Sequence, residues 1–176
     1  MACRIFTLLS IGLLVPLWGW SNSFDHLTVE DGLASNHVYN IHQDHLGFMW
    51  SGTTRGLVRW DGTSCRVFRH HPDDSTLLSF DEVRCIYEDS LRNLWIGTAN
   101  GLNRLNLATE RITRYYFRDD VAGSKTLFDI LPETDSTLWI ATTGGLVFFN
   151  CRTGEHERFV YRDEKNVVVW QRIVLL

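Results

Sequence analysis

Val83-Arg84-Cys85-Ile86-Tyr87-Glu88-Asp89, five residues, Trp95-Ile96-Gly97-Thr98, two residues, Gly101-Leu102-Asn103-Arg104-Leu105-Asn106: this stretch decides the fold, because the chain writes it three times. The copy before it reads Val38-Tyr39-Asn40-Ile41-His42-Gln43-Asp44, then Trp50-Ser51-Gly52-Thr53, then Gly56-Leu57-Val58-Arg59-Trp60-Asp61. The copy after it reads Leu127-Phe128-Asp129-Ile130-Leu131-Pro132-Glu133, then Trp139-Ile140-Ala141-Thr142, then Gly145-Leu146-Val147-Phe148-Phe149-Asn150. Trp50, Trp95 and Trp139 are 45 and 44 residues apart, and each stands six residues after an acid. A fixed period of this length marks a repeat architecture.

Each copy has the same grammar. A short run rich in Val, Ile, Tyr and Phe leads to a polar turn, and a second run is centred on the Trp. A tight loop ending at Gly56, Gly101 or Gly145, where glycine can take positive φ, leads to a third run. A fourth follows at 65–69, 111–115 and 156–160. Short β-rich runs with frequent turn signals, and no long 3.6-residue period, predict an all-β chain. Four antiparallel strands in about 45 residues make one β-propeller blade. The expected architecture is a partial propeller: blades at about 38–70, 83–116 and 127–161, and a further blade starting at about 167–176. The strand-like segment Phe24 to Glu30 is expected to be the fourth strand of another blade. Closed propellers have about four to eight blades, so the ring is expected to be unfinished. Unpaired edges then predict association or poor solubility.

The first residues read as an export signal. Arg4 is a short positive region, Ile5 to Trp18 is almost wholly apolar, and Gly19 and Ser21 are small residues placed for cleavage after Ser21. That run is shorter than the roughly 20 residues that span a bilayer. A signal peptide at 1–21 and a mature domain at 22–176 are expected, on the periplasmic side of the inner membrane; an uncleaved anchor helix is the alternative. The formal charge of −4 has no long single-sign block, which argues against nucleic-acid binding. Cys65, Cys85 and Cys151 remain after the signal, an odd number with no C-x-x-C pair, so small buried hydrophobes in strands are expected rather than a disulfide framework.

The spacing of Asp44, Gly47, Trp50-Ser51-Gly52-Thr53 and Gly56-Leu57, and of Asp89, Asn93, Trp95-Ile96-Gly97-Thr98 and Gly101-Leu102, resembles the two-component regulator propeller repeat. The opening Leu27-Thr28-Val29-Glu30-Asp31-Gly32-Leu33-Ala34-Ser35-Asn36 looks like the start of such sensors. The resemblance covers about 24–161. It implies a large extracytoplasmic propeller ahead of a membrane helix and a histidine kinase, with many such sensors responding to carbohydrates. The partners it implies are a small carbohydrate ligand and the remaining blades and kinase of the full-length protein, with a homodimer left open. No cofactor is implied, and kinase activity would lie in downstream domains. The chain departs from the pattern by lacking those parts and by Ala141, which replaces the glycine of the other copies; Pro132 is expected to end its strand early.

The most repeated residues read as structural. Trp50, Trp95 and Trp139 suit packing between blades better than ligand stacking. Gly52 and Gly97 suit close backbone approach within the sheet, Gly56, Gly101 and Gly145 suit turns, and Asp44 and Asp89 suit turn formation. Trp60-Asp61 occurs in one copy only, so it does not make a WD repeat. His42, Asp44 and His45, and the run His70-His71-Pro72-Asp73-Asp74, resemble metal clusters, but neither recurs between copies. Scattered acids such as Asp81, Glu82 and Glu88 form no catalytic constellation, and no nucleophile-elbow, zincin or P-loop pattern occurs. A ligand surface, if present, is expected at one face or the central channel, with connections 71–80 and 117–126 and Arg69, His70, Arg118 and Lys125 nearby. A structural or protein-binding scaffold is the main alternative to a sensor; a glycan-active enzyme is the remote one.

Overall fold

The computed structural model describes residues 26–117 and 125–160. They form three four-stranded antiparallel sheets in chain order, three blades of a β-propeller. The first sheet is β1 (Val38–Gln43), β2 (Met49–Thr53), β3 (Gly56–Trp60) and β4 (Cys65–Phe68). The second is β5 (Val83–Glu88), β6 (Asn93–Thr98), β7 (Gly101–Asn106) and β8 (Ile112–Tyr115). The third is β9 (Leu127–Thr134), β10 (Thr137–Thr142), β11 (Gly145–Asn150) and β12 (His156–Phe159). The first strands β1, β5 and β9 lie side by side and so mark the hub.

One apolar cluster fills the seam between the first and second sheets, with Trp50, Leu57, Val83, Leu94 and Ile96 at its centre. A second fills the seam between the second and third, around Trp95, Leu102, Leu127, Ile140 and Phe149. Every residue of β6 is therefore buried, whereas burial alternates along β10, which has a described neighbour on one face only. Central strands covered on both faces carry continuous apolar runs, and Leu94-Trp95-Ile96 fits that rule.

The strand expected over 24–30 does not form in its described part. Val29–Asp31 is a single 3-10 turn. Thr28 caps it: its hydroxyl accepts from Glu30 N at 3.2 Å, while Asp31 Oδ2 accepts from Thr28 N at 2.8 Å. Such local side-chain bonds compete with a sheet ladder. Gly32, at φ 101°, then turns the chain so that Leu33 and Ala34 pack on Val58, over the face of the first sheet turned away from the second. Residues 1–25 and 161–176, and with them the signal peptide and the start of a further blade, lie outside the described residues.

Pro132 does not end its strand. β9 runs on to Thr134, with Pro132 opposite Leu138, because β9 is an edge strand with one unpaired side, where a residue without an N–H is tolerated. The turn into β10 is tight, Asp135-Ser136 between the paired residues Thr134 and Thr137.

The 69–82 connection is packed rather than loose. Leu78 and Ser79 are buried, and Arg114 of β8 donates through Nε to Leu77 O (2.8 Å) and through Nη2 to Leu78 O (2.9 Å) and Asp74 O (2.5 Å). Arg114→Met is expected to lower stability by about 1.5–3 kcal/mol, the range for bonds to a charged group. It should also open residues 72–77 to limited proteolysis; an unchanged cleavage pattern would show that the loop holds itself.

Candidate functional site

The acid-to-Trp spacing has a meaning beyond turn formation. Asp44 Oδ2 accepts from Trp50 Nε1 and Asp89 Oδ2 from Trp95 Nε1, both at 2.8 Å and both buried. Asp44 Oδ1 also closes its turn by accepting from Leu46 N (2.9 Å) and Phe48 N (3.0 Å), and Asp89 Oδ1 does the same for Leu91 N (2.9 Å) and Asn93 N (2.8 Å). One carboxylate thus shapes the first hairpin and satisfies the indole N–H that would otherwise be buried unpaired. In the third copy Glu133 Oε2 reaches Trp139 Nε1 at 2.9 Å, and Thr134 takes over the turn by accepting from Ser136 N at 3.2 Å.

The remaining repeat positions close the other hairpins. Thr53, Thr98 and Thr142 donate through Oγ1 to the carbonyls of Gly56, Gly101 and Gly145 at 2.8, 2.9 and 2.8 Å. Gly101, at φ 109°, could not carry a side chain: a Cβ would lie 2.7 Å from Tyr115 O. Asp61, read above with Trp60, binds the β3–β4 turn through Thr63 N (2.8 Å) and Ser64 N (2.7 Å), and these bonds hold its carboxyl below the usual range. Asn106 and Asn150 take the same place, accepting from Thr109 N and Arg152 N at 2.9 Å each.

Gly52 makes its close approach across blades, and Gly97 makes one both within its own sheet and across to the next. A Cβ on Gly52 would lie 2.9 Å from both Cγ1 and O of Val83 on the next sheet. A Cβ on Gly97 would lie 3.0 Å from Leu127 Cβ of the third sheet and would also run into Cys85 Sγ of its own. Trp50 and Trp95 lie in the two seams, while Trp139 is half-buried against Phe148 and Phe159, with ring centroids 4.7 and 5.6 Å away.

The histidines near Asp44 are part of a seam. Glu88 Oε1 lies 2.6 Å from His45 Nδ1, Glu88 Oε2 accepts from His45 N at 3.0 Å, and His42 Nε2 lies 3.5 Å from Oε2 without hydrogen-bonding geometry. Asp44 is turned away to its indole. Among the described residues no group of His, Cys, Asp or Glu is arranged to hold a metal ion. A second seam bridge joins Arg59 and Arg66 to Glu110 Oε1 at 3.2 and 2.6 Å.

His70 donates its N–H to Asp81 Oδ1 at 2.7 Å and its Nδ1 lies 2.8 Å from Leu78 O, so it serves its own loop. Arg69 and Lys125 are exposed, and Arg118 lies outside the described residues.

A convergence that sequence reasoning missed sits at the hub. The pairing slips near the start of each first strand, at Tyr39 in β1, Arg84 in β5 and Phe128 in β9, and β9 slips a second time at Glu133. Such bulges re-aim a side chain. The Arg84 guanidinium lies between the two rings, 4.9 Å from the Tyr39 centroid and 5.2 Å from that of Phe128. Glu82 Oε1 pairs with Arg84 Nη2 at 2.5 Å and accepts from Tyr39 Oη at 3.1 Å. Desolvation, followed by this bond, raises the Tyr39 phenol above its ordinary pKa.

Among the described residues the three thiols, of Cys65, Cys85 and Cys151, are free. Cys85 is sealed in a seam and burial pushes its thiol far up; Cys151, in the turn after β11 rather than in a strand, is pushed up to about 11, again by burial first. A thiol with a raised pKa is protonated at pH 8 and reacts slowly. Iodoacetamide at that pH is expected to leave Cys85 unmodified in the folded chain and to label it in urea; mass spectrometry of labelling in the native state checks this.

A family model described as two component regulator propeller matches residues 32–55 and 77–100, the segments that carry the Asp–Trp ties and the threonines Thr53 and Thr98. These segments are two-component regulator propeller repeats. The repeat at 127–150 lies outside that match, in keeping with its Glu133, its tight Asp135-Ser136 turn and Ala141. A stretch of 56 residues, 32% of this chain, is 41% identical to a histidine kinase of Formosa agariphila, of which it covers 4%. The extracellular domain assigned to a hybrid two-component system of Bacteroides thetaiotaomicron is similar over 82% of this chain and 28% of its own, with TM-score 0.50 and 20% identity. Virginiamycin B lyase from Staphylococcus aureus is similar over 69% of this chain and 40% of its own, with TM-score 0.51 and 20% identity. At those identities the two structures speak for the propeller fold alone. The chain spans less than half the length of each of these relatives. Among the described residues no helix is long and apolar enough to cross a membrane.

Proposed function

We propose that this chain is part of the ligand-sensing propeller of a two-component signalling protein, exported to the periplasmic side of the inner membrane. The observation that carries the reading is the regulator-propeller match at 32–55 and 77–100, joined to 41% identity with a histidine kinase over 56 residues. In this reading the chain binds a carbohydrate and contributes no catalytic group. The kinase and further blades belong to other parts of the full-length protein, and a bound ligand acts by changing blade or dimer contacts.

The test is the reading frame downstream of codon 176 in the source genome. Further repeats, a membrane helix and a histidine-kinase domain in the same frame are the expected result. A stop codon followed by an unrelated gene would overturn the intact-sensor reading and favour a scaffold.

A further inference from the structure

The Tyr39, Arg84 and Phe128 row is the feature that packing explains least. Arg84 belongs to the middle blade, and its stacking partners belong to the blades on either side. The bulges lie at the start of each first strand, where β1 and β5 pair with the ends of β2 and β6. That end also holds the β2–β3 and β6–β7 hairpins and the 69–82 connection, so the row sits at one mouth of the hub. Tyr39 is 37% exposed and Phe128 47%. Arg84 and Glu82 keep 27% and 26% of their side-chain surface open to solvent.

The chemistry of the row limits what would bind. Two aromatic rings offer apolar surface to C–H groups. Arg84 offers N–H donors at its edge, since its faces are covered, and Glu82 offers acceptors. The Arg84 charge is already matched by Glu82, and Asp81 and Asp129 are close in sequence, so no surplus positive charge remains to draw an anion. Paired donors and acceptors beside apolar rings match a ring compound bearing several hydroxyls and no net charge.

We propose that Tyr39, Glu82, Arg84 and Phe128 form a binding site for a neutral saccharide unit at the hub mouth of the propeller. This rests on the ligand-sensing reading above and supplies it with a site. The test uses the full 176-residue chain and an array of neutral hexose and pentose oligosaccharides printed beside uronate-bearing ones. Retention of at least one neutral glycan is expected. Arg84→Met, which keeps the stacked stem, and Phe128→Leu should each weaken that retention about tenfold or more, the loss that follows from one charge-assisted bond or one buried ring contact. Thermal unfolding of each variant separates loss of binding from loss of fold. Should Arg84→Met fail to fold, Glu82→Gln decides, because it keeps the side-chain shape and removes the charge. Neutral-glycan retention unchanged in variants that fold would overturn the site and leave the sensor reading standing. Retention of uronate-bearing glycans alone would overturn the neutral-ligand assignment. No retention of any glycan would overturn both the site and the carbohydrate reading, while the reading frame downstream still tests the signalling role on its own.

Discussion

Replacing Trp95 with alanine is expected to lower the unfolding free energy of the full chain by about 3–5 kcal/mol. Trp95 is fully buried, and its ring meets Phe149 of the third sheet edge-on, with centroids 5.5 Å apart. Truncation empties the centre of the second seam. It also strips Asp89 of the indole N–H, leaving a buried carboxylate with one donor fewer. Denaturant unfolding followed by far-UV circular dichroism measures the loss. Trp139→Ala provides the comparison within one molecule: its indole bond to Glu133 is solvent-exposed and its ring half-buried, so its loss should be clearly smaller. Equal losses at the two sites would mean that the seam contributes little to the burial energy of Trp95.

Gly52→Val is expected to cost about 1–3 kcal/mol by overpacking, and to do so at the seam between the first two sheets. The obstacle is the backbone oxygen of Val83 as well as its side chain, so no rotamer change clears it. Amide hydrogen exchange should therefore speed up along β2 and β5 while β10 and β11 stay protected. The reverse substitution in the third copy, Ala141→Gly, has no described blade to admit and should change stability by only about 0.5–1 kcal/mol, the usual penalty of glycine in a strand. Uniform loss of protection over all three sheets in Gly52→Val would indicate that the seams do not open separately.

The blades were legible because a strand run, a turn and a glycine hairpin leave marks in any one copy, and three copies in register make the marks unmistakable. Bonds that cross a hairpin were not. Nothing in the order Asp89 to Trp95 says that the acid reaches the indole, because the same aspartate also satisfies the turn that sequence reasoning assigned to it. The bulges were hidden for a related reason: Tyr39, Arg84 and Phe128 leave the strand alternation only through the register of their partners, which a single strand does not encode. The 24–30 segment was misread because Thr28, Asp31 and Asn36 settle its backbone locally; Asn36 Oδ1, for instance, accepts from Val29 N at 3.1 Å. Pro132 was overweighted because the rule against proline applies to central strands, and β9 is an edge.

The Asp–Trp tie, the Thr hydroxyl on the glycine carbonyl and the Asn or Asp at the last turn are all formed between residues of one copy. These three closures are thus inherited with the unit. A duplication of the corresponding stretch of gene would deliver a blade with those bonds already in place, needing only a neighbour of matching shape and a glycine where the backbones meet. That makes the number of blades easy to alter by unequal recombination. It also leaves the residues free of those closures, such as Tyr39, Arg84 and Phe128, to diverge from copy to copy while the scaffold stays the same.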